Sequence, residues 1–237
     1  MRGIVLSVVL PCYNEAACLP RLLASYAQAG RGTAFELVLV DNGSTDDTAA
    51  VLAEALPRFP FARSVRVVRN QGYGHGILTG LQAAASETLA WSHADLQTDA
   101  ADVFRAYDLY RAQPDRGRVL VKGVRSGRTV GQRLVSRGME CVALLCLRRR
   151  YREINAQPKL FHRELLAHLP SPPLDFNFDI YVLHQACRHG WHVLTVPVLF
   201  PPRPHGRSHW AATWRSRTRT MWRSAVFMFK LGTGLWR

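Results

Sequence analysis

The sequence predicts an α/β fold in which one mostly parallel sheet carries helices on both faces. Three observations support this prediction. Short apolar runs alternate with segments of helical spacing, the runs are apolar at nearly every position, and turn residues bound each run. A strand that is apolar on both sides is typical of a parallel sheet whose two faces are covered by helices.

Five strands and four helices are predicted before residue 124. The strands are IVLSVVL (4–10), FELVLVD (35–41), SVRVVRN (64–70), TLAWS (88–92) and RVLVKG (118–123). Helical spacing covers residues 15–29, 46–57, 74–86 and 100–113. Ligands of such sheets gather at the carboxyl ends of the strands, so we expect the loops there to carry the functional residues.

The loop VDNGSTDDT, after the second strand, contains residues that suit the start of a helix. Ser44 or Thr45 is predicted to cap that helix, with Asp46 and Asp47 at its positive end. Asp41 differs from these acids because it is the last residue of the strand. A carboxylate at that point can accept hydrogen bonds from a ligand.

Length and cysteine usage bound the class of protein. The chain has 237 residues, which fits one large domain or one domain with an appendage. Its five cysteines form no CxxC pair, which argues for reduced thiols in the cytoplasm and against a zinc ribbon or a disulfide framework. The amino terminus has no small-residue cleavage site, and no run of about 18 apolar residues occurs, so neither a signal peptide nor a membrane span is expected.

Charge is distributed unevenly along the chain. The formal net charge is +14, yet the first 115 residues contain twelve acids and nine bases. Residues 116–152 contain eleven Lys and Arg residues against the single acid Glu140. A basic second half predicts a phosphate-rich partner, which is a nucleotide, a nucleic acid or an anionic membrane. Because no RRM, KH, helix-turn-helix or zinc-finger pattern occurs, we do not expect nucleic acid to be the partner.

Seven segments of the sequence together resemble one family. In chain order they are VVLPCYNE, LVLVDNGSTDDT, NQGYGHGILTG, SHADLQTD, VKGVRSGR, LDFNFDI and VPVLFPPRPHGRS. They resemble the family 2 glycosyltransferases, and most of all the dolichol- and polyprenyl-phosphate sugar synthases. The resemblance covers about residues 4–210. It implies a glycosyltransferase A-type, Rossmann-like catalytic domain over 1–208, with a nucleotide-sugar half (1–115) and an acceptor half (116–208).

The resemblance also implies a donor site for a UDP- or GDP-linked sugar. Its predicted residues come from the loops after the strands and are Pro11, Tyr13, Asn14, Glu15, Asp41, Gly74, His93, Ala94 and Asp95. Asp95 and Gln97 are implied to hold Mg²⁺ or Mn²⁺ on the diphosphate, since these ions prefer oxygen ligands. Asp99 and Asp102 are predicted instead to open the next helix.

The sequence departs from the family pattern at three of these loops. His93 replaces the first aspartate of the metal motif, Asn42 replaces a second aspartate, and Tyr73 replaces a lysine between the glycines. His93 can hydrogen-bond the donor, favour a metal that accepts imidazole such as Mn²⁺, or simply pack against its neighbours. Because His93 and Tyr73 alter the donor site, a degenerate member of the family is a further alternative.

The basic half is implied to bind phosphates. Lys122, Arg125, Arg203 and Arg207 match phosphate-binding positions of the family, where charge-assisted hydrogen bonds favour arginine. Other cations of this half, Arg128, Arg133 and Arg148 to Arg150, are interpreted as surface. Asp179 matches a late aspartate, which is either a general base or a buried acid at a helix start. The predicted catalytic residues are therefore Asp95, Asp179, Arg125 and Arg203.

The acceptor decides the predicted reaction. An inverting transfer to a polyprenyl phosphate at the cytoplasmic face of a membrane is favoured, because an ionised phosphate needs no general base. The alternatives are a soluble small molecule or glycan hydroxyl and, with less support, a non-enzymatic binder of nucleic acid. Residues 209–237 are predicted to form a basic amphipathic helix, which lies on an anionic membrane or closes the core of the domain.

Overall fold

The computed structural model describes residues 3–201 and 214–236. Its strands form one seven-stranded sheet in the order β3-β2-β1-β4-β6-β5-β7. The strands are β1 (Leu6–Cys12), β2 (Phe35–Asn42), β3 (Ala62–Val67), β4 (Thr88–Trp91), β5 (Val119–Ser126), β6 (Lys159–His162) and β7 (His192–Leu199).

Seven α-helices lie in the described ranges. They are α1 (Leu19–Ala29), α2 (Thr48–Ala55), α3 (Tyr73–Ala83), α4 (Ala100–Arg111), α5 (Val130–Leu147), α6 (Phe178–Arg188) and α7 (Trp214–Gly232). Short 3-10 segments cover Leu56–Arg58, Arg116–Arg118 and Arg163–His168.

The prediction of a mostly parallel sheet with helices on both faces is confirmed. Strand β6 runs antiparallel to its neighbours β4 and β5, and the other neighbouring pairs are parallel. The chain leaves β1 for β2 on one side and returns to β4 on the other side. The crevice at the carboxyl end of β1 therefore lies at a topological switch point, where open α/β sheets bind their ligands.

Two hydrophobic cores, one on each face of the sheet, explain why the central strands are apolar throughout. Val9 and Val40 face a core that includes residues of α3, α5, α6 and α7, whereas Val8 and Leu39 face a core with α1, α2 and α4. Only glycine fits at residue 80 of α3, because a Cβ on Gly80 would overlap Val9 and Val40. The glycine therefore allows α3 to approach the sheet closely.

Most predicted elements of the first half occur with shifted ends. The predicted helix 15–29 begins at Leu19, because the preceding residues form a loop that bonds to the loop after β2. The predicted strand 64–70 runs from Ala62 to Val67. Helices α5 and α6 and strands β6 and β7 were not among the predicted elements. Strand β6 has only four residues and pairs with strands far away in sequence, so no local pattern marks it.

The carboxyl-terminal half of α7 closes the core. Phe227, Met228 and Leu231 are buried in the same cluster as residues of α3, α5 and α6. Gly232 lies against the main chain of α5 at Cys146, where a Cβ would overlap the carbonyl. Trp210 of the predicted amphipathic helix lies outside the described residues. No helix in the described part of the chain is long and apolar enough to cross a bilayer.

Candidate functional site

The candidate site lies at the carboxyl ends of β1, β2 and β4. The register pairs Cys12 with Asp41, so the loops after β1 and β2 start side by side. Trp91, the last residue of β4, pairs with Val9, so the loop after β4 starts beside the last residues of β1, at the same edge of the sheet. The predicted nucleoside loops and the predicted metal motif are therefore neighbours, although about 80 residues of sequence separate the first from the last.

Asn14 joins the first loop to the second. Its backbone is left-handed (φ 58°), a conformation that asparagine tolerates better than most residues. Its Oδ1 accepts hydrogen bonds from the backbone N–H groups of Thr45 (2.8 Å) and Asp46 (3.3 Å), and its own N–H donates to Ser44 Oγ (3.1 Å). The amide side chain is thus used to fix the loop, and its predicted contact with the donor stays a prediction.

The predicted cap of α2 is wrong. Ser44 and Thr45 bond to Asn14, while Asp46 Oδ1 accepts a hydrogen bond from the backbone N–H of Thr48 at 3.0 Å, the first residue of the helix. Serine and threonine were favoured by general capping preference. The long-range contact with Asn14 reassigns those two residues to the loop.

Asp41 is buried beneath the same loop. Its Oδ1 accepts a hydrogen bond from the N–H of Ser44 at 2.9 Å, and Oδ2 lies 3.9 Å from Nε of Arg66. The backbone N–H of Glu15 donates to Thr48 Oγ1 at 3.0 Å. Tyr13 is half-buried in the same loop. These contacts connect Asn14, Glu15 and Asp41 to the same segment, residues 44–48.

The remaining predicted donor residues are mainly in packed surroundings. Ala94 is buried in the core below α1, and Pro11 lies within contact distance of Gly76, where a Cβ would be 3.3 Å from Pro11 Cβ. A Cβ on Gly74 would overlap the carbonyl of Pro173 and lie 2.9 Å from that of Asp175. Packing therefore accounts for Gly74, and its role toward a donor stays a prediction.

Asp95 and Gln97 form a compact turn after β4. Asp95 is buried, and its Oδ1 accepts a hydrogen bond from the N–H of Gln97 at 3.0 Å. The side-chain amide nitrogen of Gln97 donates to the carbonyl of Pro201 at 3.1 Å, which defines the orientation of the amide. No group of three or more His, Cys, Asp or Glu residues that could hold a metal occurs among residues 3–201 and 214–236. One carboxylate and one amide oxygen suit a divalent cation that a diphosphate helps to hold.

Asp99 and Asp102 open α4 as predicted. Asp99 is the N-cap residue and accepts a hydrogen bond from the N–H of Ala101 at 2.9 Å. Asp102 is buried in the first turn and pairs with Arg105. Burial raises the pKa of Asp102 to about 6, although the nearby Arg105 charge opposes this. These two acids belong to the helix and not to the metal motif.

Two departures from the family pattern are neighbours in the structure. The ring of Tyr73 stacks on Phe176, with centroids 5.1 Å apart, and on His93, with centroids 6.3 Å apart. The ring of Phe200 is edge-on to His93, with centroids 6.5 Å apart. Burial raises the pKa of Tyr73, and its hydroxyl accepts a hydrogen bond from Gln157 Nε2 at 3.1 Å. An aromatic row therefore lines the region beside Asp95.

The negative charge of Asp179 is balanced by a neighbouring buried cation. It lies buried in the first turn of α6, where it accepts a hydrogen bond from Gln157 Nε2 at 2.8 Å and pairs with the ammonium of Lys159. Lys159 is fully buried, with Nζ 5.4 Å from the centre of the Trp91 ring. Sequence reasoning missed Lys159 and Gln157, since their only signal is two polar residues next to a short strand.

Lys122 is also buried, at the middle of β5. Its Nζ donates to the carbonyls of Gly123 (2.8 Å) and Arg152 (3.0 Å). Burial, reinforced by the charge of Lys159, lowers its pKa to about 7. The ammonium already supports the loop that contains Arg152, so its predicted contact with phosphate stays a prediction.

Arg125 and Arg128 share one acid. Glu153 Oε2 accepts from Arg125 Nε at 2.6 Å, and Glu153 Oε1 accepts from Arg128 Nη1 at 2.8 Å. The interpretation of Arg128 as a surface cation is wrong, because its side chain is 7% exposed. The other cations given that interpretation, Arg133 and 148–150, are exposed. Arg203 and Arg207 lie outside the described residues.

The family follows from comparison with known proteins. A family model described as "Glycosyl transferase family 2" matches residues 7–168. The chain is a family 2 glycosyltransferase. An uncharacterized glycosyltransferase of Mycobacterium tuberculosis is 32% identical to it over 213 residues, which is 88% of this chain and 90% of the relative.

Some relatives of this family 2 glycosyltransferase are named for a polyprenyl phosphate. The undecaprenyl-phosphate 4-deoxy-4-formamido-L-arabinose transferase of Pseudomonas aeruginosa is 32% identical over 207 residues, which is 78% of this chain and 59% of that protein. The resemblance to the polyprenyl-phosphate branch is thereby confirmed, while the acceptor of this chain is a separate question.

A solved structure confirms the fold. The glucosyl-3-phosphoglycerate synthase of Mycobacterium tuberculosis, in complex with UDP, superposes with a TM-score of 0.74 at 22% identity and covers 98% of this chain and 81% of that one. The family 2 glycosyltransferase described here therefore has the predicted A-type fold.

Proposed function

We propose that this protein is an inverting enzyme that moves a sugar from a nucleoside diphosphate to a polyprenyl phosphate at a membrane surface. The observation that carries the proposal is the buried pair of Asp179 with Lys159. A hydroxyl acceptor needs a group that removes its proton, and Asp179 is the predicted candidate for that role.

The pair already engages the carboxylate of Asp179. It accepts hydrogen bonds from both Lys159 and Gln157 and is the counter-charge of the fully buried Lys159 ammonium, so we do not expect it to serve a hydroxyl acceptor. A phosphate monoester is already ionised near neutral pH, so it can act as the nucleophile without a base. Positioning and charge neutralisation are then sufficient for catalysis.

In the proposed reaction one oxygen of the acceptor phosphate attacks the anomeric carbon of the donor sugar. The bond from that carbon to the donor diphosphate breaks, and its electron pair leaves with the nucleoside diphosphate. No proton needs to move, and the anomeric configuration inverts. Arg125 and Arg128 are the nearly buried guanidinium groups of the acceptor half that suit phosphate binding.

Asp95 and Gln97 would hold the divalent cation, and Asp41 with the loop fixed by Asn14 would hold the nucleoside. When bound, Mg²⁺ or Mn²⁺ would neutralise charge on the leaving diphosphate. Crystals of the glucosyl-3-phosphoglycerate synthase contain Mn²⁺ with UDP and a phosphoglyceric acid, or Mg²⁺ with UDP, which supports the same use of metal here. Because Asp95 and Gln97 alone would be few ligands for the cation, we expect metal and nucleotide to bind together.

Two helices support attachment to a membrane. The amino-terminal half of α5 is exposed on nearly every side, and Leu134 and Val135 are 60% and 43% exposed there. Arg133 directly precedes Leu134, Arg137 follows two residues after Val135, and both are exposed. Trp222 of the neighbouring α7 is 70% exposed. Apolar side chains mixed with cations suit the interface of an anionic bilayer.

Ligand-dependent melting tests the donor half of the proposal. UDP and GDP should each be added with and without Mn²⁺, and at least one should raise the melting midpoint only when the metal is present, because a ligand of the native state stabilises it. Transfer is then measured with undecaprenyl phosphate in detergent and with 3-phosphoglycerate in solution. Product of inverted configuration on the lipid phosphate is expected, and retention would exclude the single displacement.

A soluble acceptor is the second candidate, because the solved neighbour covering 98% of this chain is a glucosyl-3-phosphoglycerate synthase. Sedimentation with phosphatidylglycerol vesicles separates the two. Replacing Leu134 and Val135 by serine should lower vesicle binding about tenfold or more, since each buried apolar side chain contributes about 1.5–3 kcal/mol. Val68→Ser, at a 96% exposed valine beside β3, is the control that should bind normally. No binding by the unmodified protein would favour the soluble acceptor.

A further inference from the structure

We infer that Glu153 is a positioning residue that holds Arg125 and Arg128 as a fixed guanidinium pair for the phosphate monoester of the acceptor. The inference deepens the proposed function and rests on it. Glu153 was not among the residues that the sequence singled out, and no family motif quoted above contains it.

The contacts of Glu153 reach three separate segments. Its two carboxylate oxygens each bind one arginine, Arg125 at the end of β5 and Arg128 in the loop that follows. Its backbone N–H donates to Glu140 Oε1 of α5 at 2.7 Å. Its backbone is left-handed (φ 50°), an unfavourable conformation for glutamate that surrounding contacts must maintain. Such a residue is fixed in place and fixes its partners.

The way in which Glu153 binds Arg125 leaves one side of that guanidinium for a ligand. The bond uses Nε of Arg125, and within residues 3–201 and 214–236 its two terminal nitrogens make no hydrogen bond. Two parallel N–H groups match the oxygens of a phosphate. The ring of Phe200 covers the guanidinium at 5.2 Å, so the group has little freedom to turn.

Arg128 is held more completely. Its Nη1 donates to Glu153 and its Nη2 to the carbonyl of Gln132 at 2.8 Å. Its Nε is buried and has no hydrogen-bond partner among the described residues. Burial lowers the pKa of Arg128, and the adjacent Arg125 adds to this effect. A second anion beside Glu153 would reduce the repulsion between the two arginines.

The location favours the acceptor over the nucleoside. Strand β5 is two strands from β4, which places the pair about 10 Å from the metal motif along the sheet and farther from the nucleoside loops at β1 and β2. Phe200 contacts both Arg125 and His93 and thereby connects the pair to the aromatic row. The anion bound here is therefore on the acceptor side of the donor site.

The shared chemistry of the ligand is a phosphate monoester, which a lipid or a soluble metabolite can supply. The test measures binding and transfer with undecaprenyl phosphate in detergent micelles and, separately, with 3-phosphoglycerate. The variants are Glu153→Gln and Glu153→Asp. The first keeps the size of the side chain and removes its charge, and the second keeps the charge on a shorter side chain, farther from the arginines. Asp108→Asn, at an exposed ion pair with Arg111 on α4, is the matched control.

Glu153→Gln should raise, about tenfold, the KM for the phosphate monoester that the enzyme uses. The KM of Glu153→Asp should lie between that value and the KM of the unmodified protein. The shift produced by nucleotide and Mn²⁺ in a melting experiment should remain. A residue that merely lowers the local positive charge would give the opposite result, tighter phosphate binding in Glu153→Gln. That outcome, or an unchanged KM in both variants, would overturn the inference while leaving the proposed function intact.

Direct binding separates the two ideas further. If the unmodified protein binds nucleotide and metal but neither phosphate monoester, the inference fails and the donor assignment stands. If it binds neither nucleotide nor phosphate, both fail. Should Glu153→Gln not fold, Glu153→Asp decides the matter. The inference then expects a KM for the phosphate monoester above that of the unmodified protein, with normal nucleotide binding, and an unchanged KM would overturn it.

Discussion

The nucleotide half and the acceptor half of the molecule hold their polar residues in different ways. Around Asn14, Asp41 and Asp95, side-chain oxygens accept hydrogen bonds from backbone N–H groups of the loops, although the two aspartates are themselves buried. In the acceptor half, Lys159 and Lys122 are buried cations held by an acid or by carbonyls. We expect the loss of one loop hydrogen bond to lower the free energy of unfolding only modestly. Removing the partner of a buried charge lowers it much more.

The largest effect is expected in the metal motif. Asp95→Ala should abolish nucleotide binding that depends on Mn²⁺ and leave the fold intact, because the residue lies in the turn after β4 and not within a strand. Binding is measured by the metal-dependent shift of the melting midpoint. Asp99→Asn is the control, since Asp99 caps α4 and should keep the metal response. Normal turnover of Asp95→Ala would show that the metal assignment is wrong.

The buried pair of the acceptor half should give the largest effect on stability. Lys159→Met leaves Asp179 buried without its counter-charge and should cost about 3–5 kcal/mol in the free energy of unfolding. Denaturation in urea measures this cost. The double variant with Asp179→Leu should regain much of it. A cost below about 1 kcal/mol, the range of exposed pairs, would contradict the pairing.

Lys122 should make stability depend on pH. Its pKa is lowered from 10.5 to about 7 by burial and by Lys159, with Arg125 adding to the effect and Glu153 and Asp179 opposing it. Between pH 7 and about 10 the unfolded chain therefore binds more protons at this residue, so its contribution to stability rises with pH. Below pH 7 the residue is protonated in both states and the slope vanishes.

Unfolding in urea at pH 7, 8 and 9 tests this expectation. Lys122→Met should remove a rise of up to about 1.4 kcal/mol per pH unit, the value for one proton. Lys230→Met, at an exposed lysine of α7, is the control and should follow the unmodified protein. Parallel curves for all three proteins would show that Lys122 does not titrate in this range.

The smallest effect belongs to the nucleotide half. Asn14→Ala removes the acceptor for Thr45 and Asp46 and places alanine in a left-handed conformation, which should cost about 1–2 kcal/mol. Glycine adopts the left-handed backbone conformation easily, so Asn14→Gly should lower the free energy of unfolding less. The KM for the donor should rise in both variants, because both loosen the loop. An unchanged KM would separate this loop from donor binding.

The sequence by itself determined the first five strands, the loops that follow them and the family. The signals there are local, because apolar runs, turn residues and helix starts such as Asp99 are fixed by neighbours within a few residues. The motif order then identified Asp41, Asp95 and Gln97 as neighbours, since parallel strands bring their carboxyl ends to one edge. The capping of α2 was the exception, because Asn14 lies 30 residues away.

Only the tertiary structure decided how the acceptor half uses its charges. Lys159 and Asp179 are 20 residues apart, and Arg125 and Glu153 are 28 apart, so no spacing rule connects them. Strand β6 and the first turn of α6 create the first pair, and the loop before β6 creates the second. A buried charge is defined by what surrounds it in space, and that environment exists only after the distant segments have packed.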